Sequence, residues 1–412
     1  MQKLKVAELF AGVGGFRIGL ENTNNKMFEV TWGNQWEPGK KVQHAFDCYS
    51  TKFNTGIHSN KDIAEVSDRE LAETNADLVV GGFPCQDYSV ARSLSGELGI
   101  AGKKGVLFWQ IVRVIQNTIP KYVLLENVDR LLKSPSSQRG RDFAVMLSTL
   151  NELGYDVEWR VINAADYGNA QRRRRVFIFA YRRNMTYSKE MNNYNNEQMI
   201  YKNGLFARAF AVEPVPNKNR VGSVTLSNDI VEVSDEFSYK FFNSGIMRNG
   251  EVTTIDTIPI YEKAIPLKDI LEEEVEDKFI LDDAKIEKFK YMRGGKKIER
   301  TSKEGFKYIY SEGGMSEVDS LDLPGRTMLT SEGTSNRSTH IIEQDGKRRL
   351  ITPIEAERLN GFPDNWTDTM SDRARYFCMG NALVVPLVTR LGNEIEKIEL
   401  DYPEGTSQIE LF

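Results

Sequence analysis

The chain has 412 residues, 40% hydrophobic and 27% charged, with a net charge of -5. That composition is of a globular protein large enough for two domains, and it excludes disordered and fibrous classes. Three widely spaced cysteines exclude a disulfide framework, three scattered histidines suggest no metal, and the acidic average argues against a nucleic-acid partner unless runs such as Glu272 to Asp277 mask a basic face. No apolar run reaches 18 residues, and Met1 to Val6 enters strand-like sequence without a signal-peptide core, so a cytoplasmic protein with no membrane contact is expected.

Residues 4 to 10 read as a first strand, and Ala11-Gly12-Val13-Gly14-Gly15-Phe16 as a glycine turn into a helix ending near Glu21. Such a unit opens a nucleotide-binding α/β fold. A dinucleotide fingerprint would need glycine at the sixth position from Gly12, where Arg17 stands, so the turn suits an adenosine ligand without a pyrophosphate. A second strand is expected from Phe28 to Trp32, followed by Gln35, Trp36 and Glu37 where a ribose-binding acid would sit, and Asp62-Ile63 follows a polar turn that could flank an adenine.

Leu78-Val79-Val80 reads as a short buried strand that Gly81-Gly82 ends, placing Phe83-Pro84-Cys85-Gln86 on a loop at its carboxyl end. Open α/β sheets place ligands there, although a lone cysteine more often just fills space. The glycine-bearing segment Ser93 to Gly105 reads as a mobile lid, and apolar residues at 107, 108, 111, 112 and 115 give one helical face. Tyr122 to Leu125 forms another short strand ending on Glu126-Asn127-Val128, which puts a carboxylate on the rim that carries Cys85.

A helix over Phe143 to Leu153 ends at Gly154, and two strands, Tyr155 to Val161 and Val176 to Ala180, form a hairpin with Gln171-Arg172-Arg173-Arg174-Arg175 on its tip side. Four arginines in a row are usually a solvated face or a phosphate contact; beside a thiol and a carboxylate they read as an anion site. From about Arg182 the composition becomes irregular, and Arg326 to Arg337 is rich in small donors and arginine, suited to DNA contact or to an ordinary polar loop. Order returns at Arg349, with a capping box at Thr352-Pro353-Ile354-Glu355, a stop at Gly361-Phe362-Pro363, and a last helix after Gly380-Asn381-Ala382-Leu383 whose buried side carries Leu387, Val388, Leu391, Ile395 and Ile398.

Taken in order, Glu8 to Gly15, Pro84-Cys85-Gln86, Glu126-Asn127-Val128, Gln171 to Arg175, Arg358 to Pro363 and Gly380-Asn381-Ala382 resemble the motifs of the DNA (cytosine-5)-methyltransferase family, of the bacterial restriction-modification type. The resemblance implies a Rossmann-like methyltransferase sheet with helices on both faces plus a smaller irregular target-recognition domain. The expected division is 1–185 catalytic and cofactor-binding, 186–341 target recognition, and 342–412 returning to the catalytic domain. It implies transfer of a methyl group from S-adenosyl-L-methionine to carbon 5 of a flipped-out cytosine in a specific double-stranded DNA sequence, through a covalent Cys85 adduct.

Cys85, Glu126, Arg173 and Arg175 would be catalytic: Cys85 attacks carbon 6, Glu126 donates to N3, and Arg173, more than Arg175, holds the base. Phe10, Gly12, Gly14, Gly15, Gln35, Trp36, Asp62, Ile63, Pro84, Leu107, Asn381 and Leu383 would bind the cofactor, and Gln86, Ser89, Asn127 and Gln171 the substrate, with no metal. Two departures stand out: Glu8 replaces a usual Asp, and the ribose-binding acid aligns with Gln35, so either that amide or Glu37 serves. A monomer is expected, and a companion restriction endonuclease acting on the same site is a partner the resemblance allows. The alternatives are the same chemistry on tRNA, which the recognition region of over 150 residues disfavours, and a catalytically silent DNA-binding protein, which Cys85, Glu126 and Arg173 disfavour; a nicotinamide dehydrogenase is a distant third because of Arg17.

Overall fold

The protein is described from a computed structural model covering residues 3–83, 106–216, 220–227, 229–302 and 305–404. In chain order the strands are β1 (Leu4–Leu9), β2 (Phe28–Asn34), β3 (Ile57–Ser59), β4 (Leu78–Gly82), β5 (Tyr122–Val128), β6 (Tyr155–Asn163), β7 (Arg174–Arg182), β8 (Val212–Pro214), β9 (Val221–Thr225), β10 (Ser244–Arg248), β11 (Glu251–Ile255), β12 (Thr257–Pro259), β13 (Lys296–Thr301), β14 (Lys307–Glu312), β15 (Ile341–Gln344) and β16 (Lys347–Leu350). Among the described residues ten of them form one sheet in the order β3-β2-β1-β4-β5-β7-β6-β10-β11-β9.

The first five pair in parallel, and β7, β6, β10, β11 and β9 continue antiparallel. The parallel strands read as continuous apolar runs because both faces are covered. Val6, Val80, Leu124 and Phe179 point into one apolar cluster, and their neighbours Ala7, Val79, Val123 and Ile178 into the other. The expected Rossmann-like sheet is present. Strand order reverses between β1 and β4, and the crevice outside their carboxyl ends is where such a sheet binds ligands.

The strand ends refine the reading. The second strand runs to Asn34 rather than Trp32, pairing with β1 and β3. The strand takes in Gly81 and ends on Gly82: the two pair with Leu125 and Glu126, and a Cβ on Gly81 would lie 3.0 Å from the Leu9 carbonyl oxygen. Their lack of a side chain lets two strands approach closely. The expected boundary at residue 186 is not a break in hydrogen bonding, since Gly245 and Ile246 of β10 pair with Trp159 and Glu158 of β6, and β11 and β9 follow outward.

The carboxyl-terminal helix, Val385–Asp401, packs on the first helix, Gly15–Glu21; a Cβ on Gly19 would meet Val388 at 2.6 Å. Glu396 clamps the pair, accepting from the Thr23 hydroxyl (2.6 Å) and from the backbone N–H groups of Asn25 (2.9 Å) and Met27 (3.0 Å). Residues 281–350 differ, with a small core of Leu281, Phe289 and Ile341. Asp319 at its centre accepts from Arg293 (2.9 Å), Arg326 (2.6 Å) and the Ile341 N–H (3.0 Å), while buried Glu332 accepts from the backbone N–H of His340.

Candidate active site

A cavity of about 370 Å³ opens at the strand-order reversal, floored by the turn after β1 and walled by the ends of β4, β5 and β7 and by residues 377–383. Phe10 adopts φ +53 and Gly12 φ +57, so the chain leaves β1 in left-handed conformation and turns its backbone toward the cavity. A Cβ on Gly12 would meet nothing within 4 Å, leaving its face open to a ligand, whereas one on Gly15 would press on Leu383 at 3.1 Å. Gly14 has a different job. With φ +88 and Phe53 only 2.3 Å from where its Cβ would be, it serves chain direction and packing at the helix start and does not line the cavity.

Beneath the turn, buried Glu8 accepts from the Tyr49 hydroxyl (2.9 Å) and the Arg17 N–H (3.3 Å). Burial pushes its carboxyl up to about 7, with those two hydrogen bonds pulling the other way. Glutamate instead of aspartate here reaches Tyr49 from beneath the glycine turn. Arg17, whose side chain excluded the dinucleotide fingerprint, stacks over Phe53 at 4.1 Å and pairs with Glu21 at 2.8 Å.

Of the two ribose candidates, Gln35 is buried and its carbonyl oxygen already accepts from the Gly12 N–H at 2.8 Å. Glu37 lines the same cavity. Trp36 is 36% exposed and stands outside the cavity lining. Asp62 caps a single 3-10 turn, accepting from the Ala64 N–H, and Ile63 and Leu107 pack into the apolar cluster behind the sheet. Asn381 and Leu383 do line the cavity, as do Phe16, Phe377 and Cys378, which the motifs did not mark. Phe16 lay within the glycine motif and could have been read from it; Phe377 and Cys378 precede the last motif and carried no signal.

Pro84, Cys85, Gln86, Ser89 and the expected lid at Ser93 to Gly105 lie outside the described residues. The chain leading to Cys85 is nevertheless tied to the acid motif. Asn127 donates to the Phe83 carbonyl at 2.9 Å, and a Cβ on Gly82 would lie 3.3 Å from Glu126 Oε2. Asn127 is thus buried and engaged with the protein.

Glu126 faces the cavity and forms an ion pair with Arg175, Nε to Oε1, at 2.9 Å. Burial raises its carboxyl above the ordinary range, against the opposing charges of Arg175 and Arg173. Arg173 and Arg175, two positions apart where the chain enters β7, both line the cavity, but their protein partners differ. Arg173 is buried and donates from its two terminal nitrogens to the Met328 carbonyl (3.1 Å) and the Gly380 carbonyl (3.0 Å), joining three distant segments, while its Nε has no partner among the described residues. Burial, then the charge of Arg175, lowers it to about 9. Gln171 likewise faces inward, fully buried, donating to Asn360 Oδ1 at 2.8 Å and accepting from the Met328 N–H at 3.0 Å. The motif's first members therefore assemble the site, and Arg175 alone touches the acid.

A model of the C-5 cytosine-specific DNA methylase family matches residues 4–397. The chain is 69% identical to the type II methyltransferase M.Sau3AI of Staphylococcus aureus over the full length of both, and 28% identical to M1.ScrFI of Lactococcus lactis subsp. cremoris over 96% of this chain and 79% of that one. In fold it is similar to the Dnmt2 methyltransferase of S. pombe, with a TM-score of 0.60, 14% identity and coverage of 96% and 99% of the two chains. The chain belongs to the C-5 cytosine-specific DNA methylase family: it is an enzyme that methylates cytosine carbon 5 in DNA with S-adenosyl-L-methionine as donor.

Proposed function

We propose that Cys85 is the nucleophile of this reaction, Glu126 its acid and Arg175 the group that orients the acid. One observation carries the reading: Glu126 and Asn127 touch the two residues, Gly82 and Phe83, that lead into Pro84-Cys85. The described thiols are poor competitors, since burial pushes Cys48 up to about 11 and Cys378, which lines the cavity, up to about 12.

Carbon 5 of cytosine is a weak nucleophile while the ring is aromatic. Addition of the Cys85 thiolate to carbon 6 breaks that aromaticity, and a proton from Glu126 to N3 neutralises the charge that would build on the ring. Carbon 5 can then take a methyl group, after which loss of the carbon-5 proton, return of the N3 proton to Glu126 and expulsion of the thiolate restore the ring. Glu126 can hold that proton because burial outweighs its arginine neighbours. Neither ring carbon is accessible within a stacked duplex, so the base is flipped out at a cost of about a few kcal/mol.

The cavity fits the donor's adenosyl and methionine parts, with the open face of Gly12 on one side and the carboxylate of Glu37 available for ribose hydroxyls. S-adenosyl-L-methionine supplies an electrophilic methyl group there. The Gln35 carbonyl oxygen is committed to Gly12, so Glu37 takes the ribose. Residues within 186–341 read the DNA sequence, and residues from 342 onward belong with the catalytic domain. The protein acts as a cytoplasmic monomer within a restriction-modification system, beside an endonuclease acting on the same site.

Bisulfite sequencing of DNA from cells expressing the protein should reveal one methylated sequence. Cys85→Ala should reduce methylation to background while cofactor affinity stays within about twofold. A methylating Cys85→Ala protein would end the nucleophile assignment.

A further inference from the structure

The antiparallel β13–β14 ribbon has two chemically different faces, because residues directly opposite in an antiparallel pair lie on one side. One face carries Lys296, Ile298, Arg300, Tyr308, Tyr310 and Glu312; the other carries Lys297, Glu299, Thr301, Lys307, Ile309 and Ser311. On the first face the carboxylate of Glu312 is matched by Arg337 at 3.2 Å, so its two cations stand among aromatic rings. The Arg300 guanidinium lies 4.0 Å from the Tyr310 ring centroid, and the Lys296 ammonium 4.3 Å from that of Tyr291. Rings hold these cations extended while leaving their N–H groups able to meet an anion. On the second face Lys307 is paired with Glu299 at 3.0 Å.

Tyr291 is 72% exposed and Tyr308 47%, in a protein whose overall charge is negative. A two-stranded ribbon with exposed rings is only marginally stable in water by itself, and its width suits the major groove of a duplex. Arg337 roots it, donating to the Gly313 carbonyl at 2.6 Å. The segment carrying Arg337 is in turn tied to the arginine motif, through the Thr327 hydroxyl on the Arg172 carbonyl at 2.5 Å and the Met328 N–H on Gln171. The ribbon is thereby fixed to the backbone that positions Arg173 and Arg175.

We propose that the Lys296–Arg300–Tyr308 face of this ribbon binds duplex DNA flanking the methylated site, as an arm that adds affinity without touching the target base. The proposal rests on the reading that residues 186–341 face DNA. Its chemistry is phosphate neutralisation by Lys296 and Arg300, with the tyrosines packing on sugar and base edges.

The test uses the full-length enzyme and two duplexes carrying the site mapped by bisulfite sequencing, one limited to the site and one extended by about 10 base pairs, a helical turn, on either side. For Lys296→Ala/Arg300→Ala the KM for the extended duplex should rise about tenfold, with kcat and cofactor affinity unchanged. The slope of log affinity against log salt should fall by about 2, close to one per phosphate released. The short duplex should respond little, Tyr308→Ala should weaken only the extended one, and Ile309→Ser on the opposite face should change neither. An unaltered KM and salt slope for the double variant would overturn the proposal, and so would an equal loss in Ile309→Ser, which would assign the ribbon to a different partner. Failure of the wild-type enzyme to methylate DNA would instead overturn the reading on which the proposal rests.

Discussion

Around the cavity, β1, β4, β5 and β7 are sandwiched between two large apolar clusters, and Val6, Val80 and Leu124 are fully buried. Residues 281–350 have three buried apolar side chains in their own cluster and depend on Asp319, Arg293, Arg326, Glu332 and His340 for their shape. Apolar burial is roughly additive and non-directional, so a sheet packed on both faces tolerates loss of a polar group at its rim. A buried ionic centre behaves oppositely, because removing one partner strands the others away from water. Substitutions of charge should therefore change rate in the first region and structure in the second.

The largest effect tests the first half of that contrast. Glu126→Gln should lower kcat by about 10²- to 10⁴-fold, the range for loss of a positioned acid, while the melting temperature stays within about 2 °C. On the proposed reading the protonated carboxyl is the donor, and burial raises its pKa, so wild-type activity should fall as pH rises through that raised value. In Glu126→Gln the residual activity should lack that alkaline limb. A parallel loss of stability would break the contrast.

Asp319→Ala tests the other half. Arg293 and Arg326 would lose their shared carboxylate, a cost of about 3–5 kcal/mol for a broken buried pair. Limited proteolysis should cut within 281–350 while cofactor affinity is preserved and DNA affinity falls. Those arginine contacts hold the Asp319 carboxyl well below its usual range although burial alone would raise it. Its contribution is consequently present above the ordinary aspartate pKa and lost only in strong acid. Loss of cofactor binding in this variant would show that the two regions are not independent.

The smallest effect concerns Glu8, a buried acid beneath the glycine turn that does not line the cavity. Glu8 is raised from 4.5 to about 7, so the stability it contributes is complete below pH 4.5 and is lost as pH rises through about 7. By calorimetry the wild-type melting temperature should drop from pH 5 to pH 8 by about 3 °C more than that of Glu8→Gln. Equal slopes would remove Glu8 from the account.

Legibility in the sequence followed the range of the interaction. The glycine turn, the capping box at Thr352 and the apolar stripe ending at Ile398 depend on neighbours within a few residues, and they appear as read. Pairing of β10 with β6 joins residues far apart in the chain, and no local pattern around Ser244 to Arg248 announces it. The same holds within the site. Their spacing of two put Arg173 and Arg175 on one cavity, yet which of them meets Glu126 depends on Met328 and Gly380 being present to occupy Arg173. The partners of Gln171 were hidden for the same reason: Asn360 and Met328 lie more than 150 positions away.

The clamp of Glu396 on Thr23 spans 373 positions and has a consequence in time. A ribosome adding about 5–20 residues per second needs roughly 20–75 s to travel from one partner to the other. Throughout that interval the first helix, Gly15–Glu21, lacks the surface on which Gly19 and Leu20 come to rest, and the glycine turn just before it lacks Leu383. The glycine turn, begun at Gly12, gains its far wall only once residues 383–396 have been made, so this side of the cavity cannot close before then.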